Sequence, residues 1–113
     1  MEAKHLALSL RSVACAAALF AFSTMAIAAD DTNKTLQSTA VQYGTGYFKV
    51  VEPLSVNCLY GVIYVNNLSN DAGQRSMFAT VLAAQASGLK ISRVSYDVDT
   101  AGRCTANLVE ISQ

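Results

Sequence analysis

CLYGVIYVNNLSNDAGQRSMFATVLAAQASGLKISRVSYDV, residues 58–98, carries two β-like runs on either side of one helical pattern, and its reading decides the fold class. Residues 58–65 (CLYGVIYV) are apolar with little alternation, which predicts a strand covered on both faces. Gly61 inside that run points to a bulge or a close approach. Asn66 to Asn70 is a loop by composition. From about Ala72 to Ser87 the residues Met77, Phe78, Val81, Leu82 and Gln85 recur at spacings of three and four, which predicts a helix with one apolar stripe. Asp71 suits its N-cap, and Gln74 stands where a capping box places the residue that reaches back to the cap amide. Gly88 suits a left-handed C-cap, with Leu89 making the accompanying apolar contact. Residues 90–98 (KISRVSYDV) then alternate, placing Val94, Tyr96 and Val98 on one face of a strand.

Working outward from this stretch, residues 35–43 (TLQSTAVQY) alternate weakly and residues 47–51 (YFKVV) are aromatic and β-branched, so both predict strands. Gly44-Thr45-Gly46 between them is turn chemistry, and Pro53 ends the second strand's pairing. Downstream, Asp99 to Gly102 turns the chain and residues 104–111 (CTANLVEI) return. The order is β-β-β-α-β-β: a mainly β fold with one helix. Its expected form is a curled antiparallel sheet packed on the helix.

The N-terminus reads as an export signal. Lys4 and Arg11 precede an apolar run from Ser12 to Met25, and Ala26-Ile27-Ala28 offers small residues where a signal peptidase requires them. Cleavage is expected after Ala28 or Ala29. The run falls short of the about 18 apolar residues that normally span a bilayer. The expected domains are a signal at residues 1–28, a flexible polar leader at 29–34 and a single domain at 35–113, located in the periplasm or secreted, with no membrane span after cleavage.

A chain beginning at Ala29 has 85 residues with six basic and seven acidic side chains, a formal charge of −1. Its basic residues are scattered, so no nucleic-acid partner is expected. A domain this small is marginally stable on its apolar core alone. It keeps two cysteines, Cys58 and Cys104, and export places them where thiols pair. A disulfide between them is expected, contributing about 4 kcal/mol in the chain-entropy description; two free thiols or half a metal site are the alternatives, the latter poor without a histidine near them.

The single histidine, His5, lies in the signal, so the mature chain lacks Ser-His-Asp and Cys-His sets and imidazole metal ligands. Asp97 and Asp99 read as surface and turn residues. The run from Asp97 to Gly102 fails as a calcium loop, because its fifth and twelfth positions are Ala101 and Leu108. Gly44 and Gly46 lack the Lys-Ser/Thr pair of a phosphate loop. No catalytic residue, metal site or cofactor is expected. Five tyrosines, Tyr43, Tyr47, Tyr60, Tyr64 and Tyr96, are the candidate ligand or interface residues, since a phenol ring is apolar along its body and hydrogen-bonds at its tip.

Cys58 to Tyr64, Ser76 to Leu82, Gly88 to Ile91, the strand through Tyr96 and the second cysteine together resemble small secreted bacterial proteins of the subtilase cytotoxin B-subunit-like type, over residues 47 to 111. The resemblance implies an OB-type barrel, a pentameric homo-oligomer and binding of sialylated glycans. It carries over no sugar-binding residue. Two functions are therefore expected: a non-enzymatic glycan-binding module, ring-forming like a toxin B subunit, or a periplasmic structural or interaction protein whose partner is another envelope protein.

Overall fold

A computed structural model describes residues 27–113. Six strands and one helix make up these residues: β1 (Ile27–Lys34), β2 (Leu36–Gln42), β3 (Thr45–Val50), β4 (Ile63–Val65), α1 (Ala72–Ser87), β5 (Lys90–Val98) and β6 (Cys104–Ser112). The sheet runs β1-β5-β6-β4-β3-β2, and every neighbouring pair is antiparallel except β4 with β6. The mainly β class with one helix and one disulfide is as expected, but the sheet is mixed instead of wholly antiparallel. β1 and β2 form its two edges although only Thr35 separates them in sequence. The sheet must therefore curl until its edges meet at that residue. With β1 and β2 counted as one bent strand, the order is 1-2-3-5-4, the OB-like arrangement of a partly open Greek-key barrel.

The bend is held by side-chain chemistry. The Glu52 carboxylate accepts from the Thr35 amide at 2.6 Å and from its hydroxyl at 2.7 Å, and the Val51 amide donates to the Thr35 carbonyl at 2.8 Å. Those Thr35 hydrogen bonds hold the Glu52 carboxyl at about 2, well below its ordinary 4.5.

Residues 29–34, expected as a flexible leader, belong instead to β1, paired with β5 from Ile27↔Val98 to Lys34↔Ile91. The polar residues that suggested a leader have partners far along the chain. Asp30 forms an ion pair with Arg93 at 3.1 Å and accepts from Ser95 Oγ at 3.0 Å. Asp31 is buried and accepts from the Tyr96 hydroxyl at 2.5 Å and from the Ser55 amide and hydroxyl. The signal reading falls on residues 1–26, outside the described residues, apart from Ile27 and Ala28, which open β1. With cleavage after either alanine, the β1 register from Asp30↔Ser95 onward remains.

The run at 58–65 is shorter as a strand than expected. Leu59–Gly61 forms a single 3₁₀ turn in which Tyr60 (φ 59°) and Gly61 (φ 68°) are both left-handed, and pairing begins only at Ile63. Cys58 and Cys104 form the disulfide, their Cα atoms 5.5 Å apart.

Phe48, Ile63, Val65, Ile91, Val94, Tyr96 and Ala106 supply the sheet side of the core, and Phe78 and Val81 the helix side. Asp71 caps α1, accepting from the amides of Gly73 and Gln74, and Gly88 ends it in the left-handed conformation. The capping box does not close, because the Asp71 amide already donates to the Asn67 carbonyl at 3.1 Å; Gln74 Oε1 is buried without a hydrogen-bond partner among the described residues. The buried face of α1 is Phe78, Val81 and Ala84, so it is turned from the expected stripe and leaves Leu82 and Gln85 exposed. On this face the Phe78 ring packs where a Cβ on Gly46 would lie, 2.6 Å from Phe78 Cε1. Gly46 is thus a packing glycine within β3, and the hairpin turn is Tyr43-Gly44.

Candidate functional site: a tyrosine cleft on the outer sheet face

Alternation along β3 divides its side chains. Gly46 and Phe48 face the core, so Thr45, Tyr47 and Lys49 face outward. The same parity buries Ile63 and Val65 of β4 and turns Tyr64 outward. The β3–β4 register sets Tyr47 directly opposite Tyr64, their rings meeting edge to face at a centroid distance of 5.8 Å. At one end the β2–β3 turn raises Tyr43, and beside β4 the 3₁₀ turn raises Tyr60. Arg103, the residue before Cys104, lays its guanidinium over the Tyr64 ring with Cζ 4.3 Å from the centroid, a cation–π contact. These residues line an open cleft of about 470 Å³.

Four of the five candidate tyrosines therefore converge on one site. Tyr96 does not join them: it is completely buried, and its hydroxyl serves Asp31. Burial, with the hydrogen bond to Asp31, pushes the Tyr96 phenol above its ordinary value. Burial also pushes the Asp31 carboxyl up, but the hydrogen bonds from Tyr96 and Ser55 outweigh it and the net direction is down. Tyr96 is a core residue, not a ligand or interface residue.

The two rim tyrosines have an unusual backbone. Tyr43 (φ 50°) and Tyr60 (φ 59°) are left-handed, a conformation that costs an L-residue about 1–2 kcal/mol and that Gly or Asn fills more readily. Neither ring recovers this by burial, since Tyr43 is 96% exposed and Tyr60 75%. The floor rings, Tyr47 and Tyr64, are half-buried and held by each other and by Arg103.

Charge in the cleft is one-sided among the described residues: Lys49 and Arg103 are its ionic groups, and none of the described carboxylates lines it. Arg103 is placed by its loop, where Asp99 Oδ1 accepts from the amides of Ala101 and Arg103, both at 2.9 Å. Asp99 is thus the turn residue the sequence suggested. Aromatic faces, phenol hydroxyls, a guanidinium and an ammonium equip the cleft to stack on a ring and to donate hydrogen bonds to oxygen acceptors. Lys49 and Arg103 were not legible as site residues, although the alternation of Lys49 with Tyr47 is a signal that pointed to a shared face.

Among the described residues no cluster of three or more His, Cys, Asp or Glu is arranged to hold a metal, and no helix is long and apolar enough to cross a membrane. No protein-family model, curated protein or solved structure matches the chain.

Proposed function

We propose that this protein is an exported, non-enzymatic binding module that takes a saccharide on the tyrosine cleft. The observation carrying this reading is that two rim tyrosines occupy left-handed positions while their rings stand in solvent beside two further tyrosines and Arg103. Stability favours neither choice, because the backbone is strained and the rings bury little; a role in contact with a ligand accounts for both. Position supports the same reading. The cleft lies on the face of the second and third barrel strands, flanked by the first hairpin turn and by the loop between the last two strands. OB-type barrels bind oligosaccharides and oligonucleotides there. With two cations in the cleft and a mature charge near zero, a sugar suits the site better than a polyanionic nucleic acid. The likeness to subtilase cytotoxin B-subunit-like proteins leads to the same class of ligand and adds a ring of subunits.

The test is an array of neutral and acidic oligosaccharides probed with oxidised mature protein, with light scattering for the mass in solution. Binding that Tyr60→Ala and Tyr47→Ala each weaken at least tenfold supports the reading. A protein that binds no oligosaccharide removes it. A second reading, an envelope protein as partner, is favoured by the composition of the cleft, since Tyr and Arg are the residues that dominate protein–protein hot spots. Crosslinking from the native envelope, with a Tyr60→Ala control, distinguishes it.

A further inference from the structure

We propose that the Cys58–Cys104 disulfide is a positioning device for the tyrosine cleft, so that the site takes its binding form only in the oxidised protein. The inference rests on the cleft being the functional site. Each cysteine stands beside one cleft residue: Tyr60 is two positions after Cys58, and Arg103 immediately precedes Cys104. The disulfide thus joins the segment entering the 59–61 turn to the first residue of β6, next to Arg103.

Little else joins them. The parallel pairing of β4 with β6 consists of Ile63↔Cys104 and Tyr64↔Thr105. The 3₁₀ turn contacts the opposite loop through one further backbone bond, from the Leu59 amide to the Gly102 carbonyl at 2.8 Å. That turn holds two consecutive left-handed residues, Tyr60 and Gly61, and Gly61 has open space around it. A strained conformation persists only where its surroundings over-determine it. Here the cross-link and the Leu59–Gly102 bond provide that determination.

Most of the fold lies away from this junction. The β1–β5 ladder involves neither cysteine, the β5–β6 ladder meets Cys104 only at its terminal pair with Val98, and the core cluster, which includes both cysteines, draws Phe48, Val65, Phe78, Val81 and Ile91 from other elements. Reduction is written in balance as follows: an external dithiol transfers two electrons and two protons, the S–S bond breaks to two thiols, and the dithiol closes its own disulfide. The expected consequence is local. The 59–61 turn relaxes, Tyr60 leaves the rim, and Arg103 no longer registers on Tyr64.

The test compares oxidised protein with two variants, Cys58→Ser/Cys104→Ser and the space-refilling Cys58→Ala/Cys104→Val. NMR amide shifts and hydrogen exchange in β1, β5 and α1 report the core. The upfield ring-current shift of the Arg103 side-chain protons over Tyr64 reports the cleft without any ligand. The expected result is a preserved core, loss of that shift, and at least tenfold weaker binding to any array oligosaccharide that the oxidised protein binds. Retention of the shift in the variants overturns the inference. So does global unfolding of both, because the disulfide would then be a staple of the whole fold. If the oxidised protein binds no array sugar, the saccharide reading fails, while the NMR comparison still decides this one.

Discussion

Replacing Tyr43 by Asn should make the protein more stable and a worse binder, a pairing that separates a functional tyrosine from a structural one. Tyr43 and Gly44 are the central residues of the β2–β3 hairpin turn, with φ of 50° and 77°. A two-residue turn with both φ positive favours Asn-Gly, and Tyr43→Asn creates that pair. The left-handed conformation costs an ordinary L-residue about 1–2 kcal/mol, and Asn removes much of this without the added chain entropy of Gly. The ring is 96% exposed, so the substitution forfeits almost no burial. The net expectation is about 1 kcal/mol of stabilisation, a rise in Tm of about 4–8 °C for a domain of this size. Calorimetry on oxidised protein measures it, with Tyr43→Phe as the control that keeps the strain and leaves Tm unchanged. On the array, loss of one stacking ring worth about 0.5–1.5 kcal/mol weakens binding up to about tenfold. A Tm at or below that of the unsubstituted protein refutes the reasoning, since Tyr43 would then be supporting the hairpin.

Three further outcomes follow from the packing and the ionisable groups. Gly46→Ala drives a methyl group against the Phe78 ring and should destabilise by about 1–3 kcal/mol in urea denaturation, with Phe78→Leu restoring part of the loss in the double variant. Tyr96→Phe removes the phenol donor from the buried Asp31 carboxylate and should cost about 1.5–3 kcal/mol by the same assay; an unchanged midpoint would mean that Ser55 and Lys34 satisfy Asp31 without it. Glu52 has a depressed folded-state pKa, so its contribution is complete above the ordinary 4.5 and is lost as pH falls from there through about 2. Urea midpoints taken stepwise across that window should fall, and Glu52→Gln should flatten part of the slope, the remainder belonging to Asp30 and Asp31, whose carboxyls are also lowered.

Local chemistry made much of the fold legible. The helix bounds were readable because Asp71 and Gly88 act through groups within one turn of themselves. The strands at 36–42 and 90–98 were readable because alternation is a property of neighbouring residues, and the one at 45–50 because its residues are aromatic and β-branched. The disulfide was readable by counting, once residues 1–28, read as a signal, are set aside. The errors share a cause. Residues 29–34 looked like a leader because Asp30 and Asp31 find Arg93, Ser95, Tyr96 and Ser55, partners at least 24 positions away. Residues 58–62 looked like a strand because apolar composition does not reveal that Tyr60 and Gly61 are left-handed.

The candidate site divides along the same line. That tyrosines were the residues to watch was visible in the composition of residues 29–113, and so was the pairing of their two cysteines. Which tyrosines act together was decided by sheet register: the β3–β4 pairing sets Tyr47 against Tyr64, while strand parity sends Tyr96 into the core. Arg103 joins them because β6 returns parallel to β4 and its first residue is cross-linked to Cys58. Periodicity and capping act over one to four residues and can be read in order along the chain. Register, the curl of the sheet at Thr35 and the meeting of two distant segments at a disulfide arise only when the whole chain closes on itself.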